Sequence, residues 1–242
     1  GDGTAEQFGM DRSYAGYAWA VHQAGGRFYD DFVTPTRSLW NSPEVLRGIE
    51  FVNSIFQAGV TARWQVDNWR DFYFWNGSSA IDLVDQPSII GVYLKNARFD
   101  WDMALQPKGP YSRATRVAVE GYMIPRDSKQ LQATWEWLKF IAVDEENVRR
   151  LVRATGIVPA LTALQSEYID VLGIEEKHWP VIFENMEAPN SFPGYFVDDR
   201  LNPRSFMGPI TAIWSGQTPS RTWLEATHRQ AQAVIDELNA QR

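Results

Sequence analysis

The chain has 242 residues, 44% of them hydrophobic and 22% charged. That is the make-up of an ordinary soluble globular chain and excludes the low-hydrophobicity, high-charge profile of a disordered one. Its 23 basic and 30 acidic side chains leave a formal charge of −7, which argues against a nucleic-acid backbone as partner and leaves small or neutral ligands open.

The length suits one large domain or two small ones, at roughly 100–200 residues per domain, and it buries enough core to need neither disulfide nor structural metal. There is no cysteine, so disulfide scaffolds, thiolate nucleophiles, iron–sulfur clusters and cysteine zinc sites are all excluded. The three histidines, His22, His178 and His228, stand far apart in sequence, poor material for a metal site or a Ser–His–Asp hydrolase. No apolar run approaches the ~18 residues of a membrane span. The first residues, Gly1-Asp2-Gly3-Thr4-Ala5-Glu6, carry no initiator Met, charged n-region or apolar h-region of a signal peptide. Aromatic residues are abundant: 11 Trp, 9 Tyr and 13 Phe. Most are read as core, and the functional alternative is a set of platforms on which sugar rings stack.

In chain order, Tyr14, Tyr17, Ala18 and Val21 recur at helical spacing and stop at Gly25-Gly26. Ser42-Pro43-Glu44 is a helix start, followed by the stripe Val45, Leu46, Ile49, Val52, Ile55 and Phe56, which ends at Gly59. Asp67 opens a short aromatic helix through Trp69, Phe72 and Trp75, closed by Asn76-Gly77. Ser79–Val84 reads as a strand, Pro87–Asn96 as a helix, and Trp101–Leu105 and Val117–Ile124 as strands. From Ser128 an amphipathic helix presents Leu131, Trp135, Leu138 and Ile141, and Asp144 caps the next, which ends at Gly156. Helical segments follow at Thr162–Leu172 and Glu175–Met186, then an irregular stretch, Pro189–Pro203, and helices Arg204–Trp214 and Pro219–Leu238. The sum is a helix-rich α/β or α+β chain with a few short strands and no internal repeat.

The order of these pieces resembles the bacterial extracellular solute-binding proteins that feed sugars to ABC importers, maltose-binding protein among them. The resemblance runs through Asp2-Gly3 with Glu6–Met10, Trp19-Ala20-Val21 to Ala24-Gly25-Gly26, and Leu39-Trp40-Asn41-Ser42-Pro43-Glu44. It continues through Phe74-Trp75-Asn76-Gly77-Ser78-Ser79-Ala80-Ile81, Trp101–Pro110, Val119–Ile124, Ala133–Phe140, Gly156–Ala160, Trp214–Thr218 and Leu224-Glu225-Ala226. Each motif alone is unspecific; the weight lies in their order and spacing.

The resemblance implies a periplasmic-binding-protein-like (type II) α/β fold of two lobes with a short mixed sheet, the ligand held between the lobes. Here it implies mostly the C-terminal lobe, residues 1–116 plus 160–242. The segment 117–159 would cross to a largely missing N-terminal lobe and leave apolar surface open, which predicts an oligomer or an altered packing there. Two departures bear on the ligand. Asp85-Gln86-Pro87-Ser88 stands where the family commonly has an aromatic platform, and Val119-Glu120 replaces paired glycines, putting a carboxylate where backbone would approach ligand.

The candidate ligand-binding residues are therefore Trp19, Asp85, Gln86, Glu120, Tyr122 and Tyr195, the last in the aromatic loop Phe192–Phe196. Asp82, Asp85 and Gln86 follow a strand whose carboxyl end is where open α/β sheets place ligands, and carboxylates and amides pair well with sugar hydroxyls. The implied function is a non-catalytic receptor that passes a mono- or oligosaccharide to a membrane permease, periplasmic or lipid-anchored at the cell surface. No cofactor or metal is expected. A glycosidase using two of Asp82, Asp85, Glu120 and Asp198, or the same fold binding a polyamine or other solute, are the alternatives. The doublets Asp30-Asp31 and Asp198-Asp199 read as solvated loop residues, Asp2-Gly3 lacks the later ligands of a calcium loop, and His178 reads as a packed or surface histidine.

Overall fold

The computed structural model describes residues 7–11, 17–61, 73–83, 96–118, 121–173, 180–188, 191–194, 196–206 and 212–242. In chain order these form strand β1 (Phe8–Met10), helices α1 (Tyr17–Gln23) and α2 (Pro43–Gln57), a 3-10 turn at Phe74–Asn76, and strands β2 (Ser79–Ile81) and β3 (Arg116–Val117). Helices α3 (Leu131–Ala142), α4 (Glu145–Thr155), α5 (Thr162–Gln165), α6 (Tyr168–Leu172) and α7 (Pro180–Met186) follow. Strand β4 (Phe192–Pro193), 3-10 turns at Asp199–Leu201 and Pro203–Phe206, and the long helix α8 (Ser220–Ala240) complete the order.

Where a short mixed sheet is expected, the described strands make two separate parallel pairs, β1 with β2 and β3 with β4. Trp101–Leu105 forms no strand. The alternation there marks a buried side instead: Trp101 and Met103 pack against a hydrophobic cluster while the backbone stays out of any ladder. Of Val117–Ile124, only Val117 pairs among the described residues. The predicted helix Pro87–Asn96 lies, but for its last residue, outside the described residues.

The chain divides into two compact units, Gly1–Val84 with Leu105–Ala118 and Glu184–Arg242, and Asp85–Ala104 with Val119–Phe183. In the first, α2 forms for the reasons its sequence advertises. The Ser42 side chain accepts from the Val45 N–H, Pro43 takes the first turn, and Glu44 sits at the positive end of the helix dipole. Its buried face of Val45, Ile49, Val52 and Phe56 meets α1, every residue of which is buried. Contact between the two helices is close at Gly48, where a Cβ would stand 2.5 Å from the Val21 Cα.

Aromatic residues fill this core. Trp40, Trp214, Tyr17, Tyr29 and Phe28 are almost wholly buried, and their polar atoms are paired where the chain allows. The Tyr17 hydroxyl donates to the Pro203 carbonyl and the Tyr29 hydroxyl to that of Leu201 at 2.6 Å, while the Trp40 indole N–H donates to the Tyr29 oxygen at 3.1 Å. Helix α8 closes the layer with Trp223, Leu224, Ala231 and Ile235.

In the second unit Asp144 caps α4 by accepting from the Asn147 N–H, and Gly156, at φ 69°, ends it. Val148 and Val152 share one core with Leu164, Tyr168, Ile169 and Ile182, and the Tyr168 hydroxyl donates to the Gly156 carbonyl at 2.7 Å. The Arg149 guanidinium grips both oxygens of Glu167, at 2.7 and 3.1 Å. The segment 160–173 thus packs on α4, so these units are cut elsewhere than the expected lobes, which part company at residues 116 and 160. Helix α3 contributes no fully buried residue: Leu131, Trp135, Trp137 and Phe140 are each more than half exposed.

Candidate functional site

Strands β1 and β2 run parallel with Phe8 opposite Ser79 and Met10 opposite Ile81, so their carboxyl ends emerge side by side. Thr61 adds a further parallel bridge to Met10. The ladder carries on past β1, because the Asp11 N–H donates to the Ile81 carbonyl at 2.6 Å and the Thr61 hydroxyl to the Asp11 carbonyl at 3.2 Å. Asp11 is buried, and its carboxylate accepts from the Phe74 N–H at 2.9 Å. Asp82, half-buried, leaves the end of β2. Just before β2, the turn Phe74–Asn76 closes on Gly77 at φ 79°, a left-handed conformation suited to glycine. The rings of Tyr73 and Trp75, half-buried on this turn, stack 4.0 Å apart.

Two carboxylates, Asp11 and Asp82, therefore follow the carboxyl ends of parallel strands, the usual place for a ligand in an open α/β sheet, and the stacked aromatic pair sits on the turn before β2, tied to Asp11 through the Phe74 N–H. Carboxylate oxygens accept from hydroxyl groups, and flat rings cover the C–H faces of a sugar. Among the described residues no group of His, Asp and Glu side chains is arranged to hold a metal ion.

Of the predicted binding residues, Trp19 is buried in the first unit's core, edge-on to Phe51 at 6.0 Å, its indole N–H without a partner among the described residues. It packs the core rather than offering a platform. A tryptophan on the buried side of a short helix and one facing a cleft share the same spacing in sequence. Tyr122, in the second unit, is half exposed. Asp85, Gln86, Glu120 and Tyr195 lie outside the described residues. Of the aromatic loop, Phe192 is buried and stacks on His22 at 4.1 Å, and Phe196 packs edge-on to Tyr29. Sequence reasoning missed Asp11, Tyr73 and Trp75 as site residues. The signal for Asp11 was the run Phe8-Gly9-Met10 just before it, which forms a strand and places the carboxylate at its end.

The acidic doublets are structural. Burial pushes the Asp30 carboxyl up, but bonds from the Thr36 hydroxyl and the N–H groups of Arg37, Thr36 and Asp31 outweigh it and hold it at about 2. Asp31 caps the same loop through the N–H groups of Thr34 and Val33. Asp198 accepts from both the side chain and the backbone of Arg200, which also pairs with Glu237. His178 and Asp2-Gly3 lie outside the described residues.

The fold is that of ABC substrate-binding proteins. The chain overlays on one from Listeria monocytogenes, solved in complex with cycloalternan, with a TM-score of 0.75 at 14% identity, covering 98% of this chain and 61% of that one. The maltose/maltodextrin-binding domain MalE of Bdellovibrio bacteriovorus, bound to maltotriose, gives 0.72 at 18% identity, covering 99% and 62%. UgpB of Mycobacterium tuberculosis, in complex with glycerophosphocholine, gives 0.69 at 15% identity, covering 97% and 60%. The chain thus spans about 60% of the length of these structures.

By sequence, the profile of the bacterial extracellular solute-binding proteins matches residues 2–171, and the chain belongs to that family. A search of curated protein sequences finds no match.

Proposed function

We propose that the chain is the solute-capturing component of a bacterial ABC importer, taking a mono- or oligosaccharide and delivering it to the membrane permease. The family match over residues 2–171 carries this reading. Two structures of the same fold are described as bound to an oligosaccharide, cycloalternan in one and maltotriose in the other, and the site's own chemistry agrees. Asp82, half-buried past the end of β2, supplies an acceptor for sugar hydroxyls, Asp11 holds the turn that carries Tyr73 and Trp75, and those two rings supply area. Asp85 and Gln86, which follow Asp82 in sequence, offer acceptor and amide groups and are proposed as ligand contacts, with Glu120, Tyr122 and Tyr195 as further ones. Binding is a closure of two lobes on the solute, driven by contacts that only the closed state makes.

The protein acts outside the cytoplasm, free in a periplasm or anchored to lipid at the cell surface. The exposed face of α3 favours self-association of this chain. The reading contains no hydrolytic step; of the carboxylates considered for one, Asp198 is engaged by Arg200.

Intrinsic tryptophan fluorescence, titrated with a panel of mono- and oligosaccharides, tests the proposal. A saturable shift with one sugar class, without release of reducing ends, supports a sugar receptor. Absence of any shift from a folded protein would turn the reading toward another polar solute, and release of reducing ends would make it an enzyme.

A further inference from the structure

Among the described residues, a recess of about 310 Å³ in the first unit shares none with the candidate site. It is lined by His22, Gly25, Gly26, Arg27, Phe32, Tyr111 and Ser191. Its volume lies at the small end of the range for ligand sites, about 300–1,000 Å³.

Three features of its wall call for a ligand. His22 is only 4% exposed and is held between rings, face to face with Phe192 at 4.1 Å, stacked beside Phe32 at 6.2 Å and edge-on to Phe28 at 5.9 Å. Among the described residues its buried Nε2 has no hydrogen-bond partner. Arg27, exposed, makes no ion pair or hydrogen bond among the described residues and lies near enough to His22 for its charge to act on the imidazole. Finally, the chain turns tightly so that the Tyr111 ring closes one side. Gly25 adopts φ 85°, and a Cβ there would meet the ring at 3.3 Å. The Tyr111 N–H donates to the Gln23 carbonyl at 2.9 Å, which fixes the ring's backbone against the end of α1.

We propose that this recess binds a small oxyanion-bearing solute, a carboxylate or a phosphate ester, with its charged group on Arg27 and its body against Tyr111, Phe32 and His22, which lines the same wall. An unpaired guanidinium presents donors in a fork that matches the oxygens of either group. The His22 ring, kept neutral by burial and then by Arg27, adds no competing charge and reports on the occupant of the recess it lines. Ser191 is a rim residue only, because its hydroxyl is spent on the Ala188 carbonyl and accepts from the Thr115 N–H. On a chain of net charge −7 such a site is local, so its affinity falls as salt screens Arg27.

The test is an NMR titration of the imidazole signals with inorganic phosphate and, separately, acetate. Three histidines give a readable spectrum, and His22→Phe identifies the signal of His22. The expected result is a saturable shift of His22 alone with one of the two anions, which names the charged group. In Arg27→Gln, a change at an exposed side chain, that binding weakens about tenfold or more. A His22 signal unmoved by both anions overturns the proposal, and so does a shift that persists undiminished in Arg27→Gln.

Discussion

Gly48→Ala probes the contact on which the first unit's core is built. The added methyl would stand 2.5 Å from the Val21 Cα, 2.6 Å from its N and 2.9 Å from the Ala20 carbonyl carbon, all backbone atoms of α1. No side-chain rotation relieves such a clash, so the helices must part by half an ångström or more to reach even 3.0 Å. A gap of that size forfeits a quarter or more of each affected van der Waals contact, among residues as tightly held as Val21, Val45 and Ile49. Overpacking of this kind costs about 1–3 kcal/mol, with a backbone-on-backbone clash at the upper end. Alanine returns about 1 kcal/mol of helix propensity, leaving a net loss of about 2 kcal/mol. For a body of this size that lowers Tm by about 4–8 °C. Thermal and urea unfolding followed by tryptophan fluorescence measures it. An alanine variant as stable as the parent, or more so, would show that propensity wins and that α1 and α2 do not approach as described.

His22 sets a second expectation. Burial first, and then Arg27, lower its pKa from 6.5 to about 3, so the unfolded chain binds the extra proton between those values. Stability therefore falls as pH drops through that window, by about 2 kcal/mol between pH 6.5 and 5 at ~1.4 kcal/mol per unit. His22→Phe, which keeps the ring stack, should flatten this limb in urea unfolding series; an unchanged limb would assign it to other groups. The Asp30 limb lies lower, since its stabilisation is complete above the unfolded carboxylate value near 3.8 and is lost only toward pH 2. Trp19→Ala should cost about 3–5 kcal/mol as a core truncation, whereas Trp19→Phe, which also removes an unpartnered buried N–H, should cost under about 2 kcal/mol. If both variants unfold like the parent, the indole is not core. Replacing Trp135 and Phe140 together by Lys should leave stability within about 1 kcal/mol, because both are exposed, and should raise the dissociation constant of any self-association seen by sedimentation. Unaltered sedimentation of an oligomer would move the contact elsewhere.

The helices were legible because their signals are local. Ser42-Pro43-Glu44 opens α2, Asp144 and Gly156 bound α4, and α8 falls within two residues of its expected ends. Strands were legible only in part, since alternation reports burial and not pairing: Trp101 and Met103 face a core without joining a ladder. The same limit governs the site. Asp82 could be placed on a strand because β2 was recognised, although that strand stops at Ile81 and not at Val84, while Asp11 could not, its strand being three residues long with a glycine in the middle. Family motifs pointed to Trp19, yet the helix that carries it is buried on every side, and a motif cannot say which side of such a helix meets solvent. The aromatic surplus divides in the same way. Trp40, Trp214 and Trp223 are enclosed by α1, α2 and α8, whereas Tyr73 and Trp75 stack at a strand end. What separates the two groups is the position of the backbone that carries them, a long-range property set by the parallel pairing of residues 8–10 with 79–81 and invisible to any local window of sequence.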